Sequence, residues 1–194
     1  MRLNTLKMGL VALIATIPTL AFAHPGHEHA SGFMTGFMHP MLGLDHLLAM
    51  LAVGLWGASL GGRALWAVPT AFVATMLFGG GLVLSSIHVP FIEQGITLSV
   101  IMIGMLLVSA TRLPVVASAS IAGLFALFHG AAHGVEIPLH TSGIEYGLGF
   151  ATATLALHVV GLGFGTAMVR LQTPILTRAT GSAIALAGIF LAVA

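Results

Sequence analysis

The chain has 194 residues, of which 58% are hydrophobic and 6% charged, and its mean hydropathy is +1.09. Soluble domains carry about 25% charged residues, so six basic and five acidic side chains cannot clothe a 19.9 kDa globule in water. A formal charge of +1 provides no basic patch for nucleic acid. The lack of cysteine removes disulfides, thiolate metal sites, iron–sulfur clusters and thiol catalysis. Ten histidines, twice the number of acids, stand out in a chain that can hide few polar groups.

Residues 1–23 open with Arg2 and Lys7, continue through an apolar stretch and end at Ala21-Phe22-Ala23. These are the three parts of a secretory signal peptide, with an uncleaved first membrane helix as the alternative reading. Cleavage would start the mature chain at His24, in a periplasm. Residues 24–37 then form a His-rich periplasmic segment. Its His24, His27 and His29 can collect metal loosely, although solvation alone also accounts for them.

Residues 38–194 read as a bundle of six transmembrane helices, an all-α membrane fold. A span needs about 20 mostly apolar residues, and the runs fall at 38–60, 65–87, 92–110, 115–135, 144–168 and 174–193. The links between them are short and rich in Gly or Pro, such as Gly61-Gly62-Arg63 and Arg112-Leu113-Pro114. Arg63, Arg112, Arg170 and Arg178 all fall in alternate links, while Glu28, Glu93, Glu136 and Glu145 fall on the opposite side or at its edge. The positive-inside rule places the arginines in the cytoplasm of a bacterial inner membrane and both mature termini outside. The frequent glycines serve close helix packing. Gly161-Leu162-Gly163-Phe164-Gly165 has no strand before it and no acid after it, which rules out a nucleotide loop. The two halves, three spans each, have opposite orientations and each begins with a histidine-bearing span, which hints at inverted repeats.

Two clusters carry the chemistry. In the first, His39-Pro40-Met41-Leu42-Gly43-Leu44-Asp45-His46, a proline in the first helical turn places His39 at the outer mouth of span one. Seven residues are close to two helical turns, which predicts His46 beneath His39 on the same face. An ionisable group at the centre of a bilayer costs about 2.5–3.5 kcal/mol on insertion scales. Asp45 therefore needs a partner, a divalent cation or a private hydrogen bond with a histidine. The second cluster is Phe128-His129-Gly130-Ala131-Ala132-His133-Gly134-Val135-Glu136. Its His129, His133 and Glu136 follow i, i+4, i+7 spacing and share one stripe of span four. Two histidines at i, i+4 are how a helix offers two metal ligands, though histidines hydrogen-bonded within a helix interface have the same spacing. Glu93, at the start of span three, is placed either for metal capture or to complement the helix dipole. His158, mid-span with Thr154 one turn before it, is either an inward relay or a core histidine.

The motifs His39-Pro-x-x-Gly-x-Asp45-His46 and Phe128-His129-Gly-x-x-His133-Gly-x-Glu136 resemble the two signatures of the HupE/UreJ family. These are small membrane proteins associated with hydrogenase and urease gene clusters and regarded as nickel permeases. The resemblance implies nickel as the ion and points to His39, Asp45, His46, His133 and Glu136, with His129 inside the same motif. It also implies nickel-delivery or hydrogenase and urease maturation proteins as partners. The first motif also looks like the His-x4-Asp-His signature of larger nickel/cobalt transporters but is one residue longer.

Imidazole and carboxylate donors without thiolate suit Ni²⁺, Co²⁺ or Zn²⁺ alike, so ligand type does not name the ion. Met34, Met38 and Met41 are read as apolar filler, not as a copper site. The expected function is nickel import from periplasm to cytoplasm through a His/Asp/Glu site near the outer leaflet, without catalysis. The alternatives are a non-transporting membrane metal-binding accessory protein and an intramembrane zinc hydrolase.

Overall fold

The computed structural model describes residues 31–194, so the proposed signal peptide and His24, His27 and His29 lie outside the described residues. Seven helices occur among the described residues, and no strand. They are α1 (Gly32–Leu42), α2 (Leu44–Leu60), α3 (Ala64–Leu84), α4 (Ile92–Ser109), α5 (Val115–Glu136), α6 (Gly143–Arg170) and α7 (Pro174–Val193). Helices α3 to α7 are each long and apolar enough to cross a bilayer. Helices α1 and α2 meet that test only as a pair, bent by 85°. The chain is thus a multi-pass membrane protein, since only helices satisfy the backbone within their own segment in lipid.

The links follow local chemistry. Gly61 (φ 71°) and Gly62 (φ 54°) adopt left-handed conformations and turn the chain between α2 and α3. Pro174 occupies the first turn of α7, where its missing amide hydrogen costs nothing. Arg112 and Arg178 line one cleft with Ser59 and Gln172, so the arginine-bearing links gather at one end of the bundle. His88 and His140 are exposed in links at the other end.

Lipid tails are as apolar as leucine, so membrane helices associate by close packing more than by expulsion from water. Glycine provides that closeness here. Gly130 of α5 faces the carbonyl of Met76 in α3, and Gly79 of α3 faces the carbonyl of Leu127 in α5. In the same way Gly54 of α2 faces the carbonyl of His158 in α6, and Gly161 of α6 faces that of Leu51 in α2. A Cβ at any of the four would overlap main chain, which cannot swing aside.

The two contacts share one register. Leu127 and Gly130 stand to Leu51 and Gly54 at one constant offset in sequence. His158 and Gly161 stand to Met76 and Gly79 at another. The pair α3–α5 therefore corresponds to α6–α2, as an exchange of oppositely oriented halves requires. Trp56, Phe72, Met76, Val100, Ile103 and Phe150 fill the space between the pairs.

The first span departs from expectation. Helix starts at Gly32, not at residue 38, because the Ser31 hydroxyl caps it by accepting from the Met34 amide at 3.3 Å. Within α1, Pro40 lies near the end of the helix and not in a first turn. At Gly43 the backbone becomes extended (φ −94°, ψ 120°) and α2 sets off in a new direction. His39 and His46 are therefore not two turns apart on one helix face; they belong to two helices joined by a sharp bend. Span two also ends earlier than predicted, at Leu84 and not at residue 87.

Overpacking of this kind costs about 1–3 kcal/mol. Gly130→Ala should therefore lower the thermal midpoint of the detergent-purified protein by several degrees. Gly163→Ala, where nothing lies within 4 Å of a new Cβ, should not. Fluorescence-monitored melting checks both.

Candidate metal centre

The bend at Gly43 turns the end of α1 and the start of α2 toward the last two turns of α5. His39 Nε2 donates to Glu136 Oε2 at 2.9 Å, joining α1 to α5. His133 Nδ1 lies 3.4 Å from the same carboxylate oxygen. One ligand atom from each of His39, His133 and Glu136 falls within 4.8 Å of the others. Of the six expected ligands, these three form the compact group; Asp45, His46 and His129 are not part of it. The Glu136 side chain is 48% exposed, so the group opens to the surface.

The other predicted histidines continue inward. His46 packs against His133 with ring centroids 4.5 Å apart and against His129 at 4.9 Å, nearly perpendicular. His39 and His133 are 4.8 Å apart and also edge-to-face. Phe150 lies against the His133 ring at 3.7 Å and Tyr146 against His39 at 5.8 Å, so aromatic rings from α6 wall the group. Phe72 of α3 lies beside His129 at 5.4 Å and beside His158 at 5.2 Å.

Asp45 holds a different position from the histidines. Its Oδ1 accepts from the His46 ring at Nδ1 and from the His46 amide, both at 2.8 Å. The second bond also satisfies an orphan donor in the first turn of α2. Asp45 therefore orients His46, as carboxylates behind metal-ligating histidines do.

Imidazole nitrogens without partners mark this region. Nε2 of His46, Nδ1 of His129, Nε2 of His133 and both ring nitrogens of His158 are buried without a hydrogen-bond partner. His129 is 0% exposed. An unsatisfied buried polar group costs about 1–3 kcal/mol, and a cation with imidazole affinity would satisfy several at once. Residue types, spacing and open nitrogens therefore fit a divalent metal ion.

Glu93 and His158 lie outside the close-set group. Glu93 is exposed and lines a groove with Gln94 and Thr97 of α4 and Leu191 of α7. His158 is buried in α6, but the Thr154 hydroxyl lies against the sulfurs of Met50 and Met76, at 3.5 and 3.7 Å, and not against the imidazole. The pairing considered for a core histidine is thus not made.

Four residues of the region escaped the sequence reading: Ser99, whose hydroxyl meets His129, and the ring-bearing Phe72, Tyr146 and Phe150. Ser99 was at least a polar residue in an apolar span; the aromatics gave no signal beyond hydrophobicity.

A model of the HupE / UreJ protein family matches residues 11–191, essentially the whole chain. The chain belongs to the HupE/UreJ family. It is also 42% identical over 188 residues to Protein HupE of Rhizobium leguminosarum bv. viciae, covering 97% of each chain. No solved structure matches it.

Removing His133, which touches both His39 and His46, should weaken Ni²⁺ binding at the His39–His133–Glu136 group at least tenfold. His140→Ala, an exposed link residue, should leave binding unchanged. Isothermal titration measures both.

Proposed function

We propose that this HupE/UreJ protein is a permease that carries Ni²⁺ from periplasm to cytoplasm for metalloenzyme maturation, as in hydrogenase or urease. The observation that carries this reading is the meeting of His39, His133 and Glu136 at an open end of the bundle, with further unpartnered imidazoles leading inward. Helices α1 and α2 together form a sixth, broken span in an inner membrane. The arginine-bearing end then faces the cytoplasm and the histidine-bearing end the periplasm. Irregular backbone at membrane depth is tolerated where it lines a cavity, as discontinuous helices do in transporters.

The residues divide the work. His24, His27 and His29 gather the ion loosely, and Glu93 contributes charge at the same surface. Glu136, His39 and His133 replace water around it. His46, held by Asp45, and His129 take it further, and His158 relays it inward. When the ion binds between His39 and Glu136 it takes the place of the proton they share. The donors also suit Co²⁺ and Zn²⁺, so discrimination rests on geometry and supply.

The membrane potential suffices as a driving force. Inward movement of two charges is favourable by about 4.6 kcal/mol per 100 mV, twice the single-charge value. That corresponds to roughly a thousandfold accumulation without ATP. Conduction further requires binding that is favourable yet weak enough for release.

Cells carrying Asp45→Ala or His133→Ala at equal expression should lose most ⁶³Ni uptake at limiting nickel; wild-type rates would overturn the reading. Liposomes containing the purified protein and an internal metal-sensitive dye should report influx of Ni²⁺, with Co²⁺ and Zn²⁺ run in parallel. Binding without influx would make the protein a metal-holding accessory factor instead.

A further inference from the structure

We infer that the ion has a second, inner station formed by Nε2 of His46 and Nδ1 of His129, and that Asp45 and Ser99 select those two nitrogens. This deepens the permease reading and rests on it.

A neutral imidazole has one N–H and one lone pair, so a hydrogen bond at one nitrogen fixes the role of the other. At His129 the chain of donors can be followed. The Ser99 hydroxyl has a single proton, and the Ile96 carbonyl, at 2.6 Å against 2.9 Å for the His129 ring, is the nearer acceptor and takes it in this proposal. Its oxygen can then only accept from His129, whose Nε2 lies 2.9 Å away. The His129 proton is therefore on Nε2 and the lone pair on Nδ1, which is buried and has no partner. At His46 the Asp45 carboxylate accepts from Nδ1, which leaves the lone pair on Nε2, again buried and without a partner. Two different elements, α2 and α4, thus prepare one bare nitrogen each.

The spacing suits a shared ion. Two imidazoles bound to one ion at ~2.1 Å, and at roughly 90–110° to each other, hold their ring centroids roughly 4.5–5.5 Å apart. His46 and His129 are 4.9 Å apart and nearly perpendicular. The same spacing recurs along the file His39, His133, His46, His129, at 4.8, 4.5 and 4.9 Å. An ion can pass from pair to pair without losing all its ligands at once.

The two stations differ in chemistry. The outer one includes the exposed Glu136 carboxylate, which attracts any divalent cation. The inner one offers imidazole nitrogens beside Phe72, each buried from solvent. Carboxylate and water suit Mg²⁺ and Ca²⁺, whereas imidazole suits nickel and its neighbours. The inner station is therefore where hard cations are refused.

Equilibrium binding of ⁶³Ni²⁺ to the purified full chain in lipid nanodiscs tests this. The double variant His39→Ala/Glu136→Gln should still bind one Ni²⁺, and excess Mg²⁺ should not displace it. Adding His129→Ala should abolish that binding. Adding Ser99→Ala instead should weaken it about 10–100-fold, the usual effect of removing a group that orients a ligand; Ser99→Thr, which keeps the hydroxyl, should restore it. ¹⁵N NMR of the histidine-labelled wild type should place the His129 proton on Nε2, and Ser99→Ala should redistribute it between the two nitrogens. Loss of all binding in the double variant, unchanged affinity in Ser99→Ala, or a proton on Nδ1 of wild-type His129 would overturn the inference. Full-rate nickel influx through His129→Ala would remove the inner station but leave the permease standing. A nickel-binding inner pair in a wild-type protein that gives no influx would support the station and defeat the permease.

Discussion

A polar nitrogen enclosed among apolar helices has to find a partner, and here several imidazole nitrogens have none within the protein. That constraint governs the histidine-bearing end of the bundle. A helix interface built only for stability would pair such atoms with hydroxyls or carbonyls. Instead the available partners, Asp45 and Ser99, are used on the far side of two rings, so that the near side stays bare. The result is a line of acceptors suited to a cation, beginning at the exposed Glu136 and ending at the fully enclosed His129.

Close helix packing holds that line in place. Gly130 directly follows His129, and its contact with the Met76 carbonyl fixes the height of α5 against α3. Gly134 directly follows His133 and lies against Gly80 and Val83 of the same helix α3. The residues that would hold metal and the residues that let the helices touch are thus sequence neighbours. Ring separations between 4.5 and 4.9 Å depend on this arrangement, so the packing glycines of α5 also set the spacing of the candidate metal centre.

Much of this was legible in the sequence, for physical reasons. Uncharged runs of bilayer length gave the helices, and arginines in alternate links gave the end at which they gather. The i, i+4, i+7 spacing of His129, His133 and Glu136 predicted one stripe; the structure has all three in α5, with His133 and Glu136 in the compact group and His129 outside it. The break at Gly43 was not legible, because a glycine beside a proline-containing turn permits a bend without requiring one. The bend depends on what α1 packs against, namely α6, through Gly36 and Gly149 at the Tyr146 and Phe33 carbonyls. Ser99 was hidden for a related reason. Its importance comes from a hydrogen bond to a residue thirty positions away, and no local pattern reports that.

The matched register of the two helix pairs leads one step further. Carried along α5 and α2, the offset that relates Gly130 to Gly54 sets His129 opposite Val53 and His133 opposite Gly57. The two helix pairs thus share a packing register without sharing side chains: where α5 carries its histidine stripe, α2 has Val53 and Gly57 at the matching positions. Symmetric backbone contacts and an asymmetric placement of imidazoles coexist in one bundle.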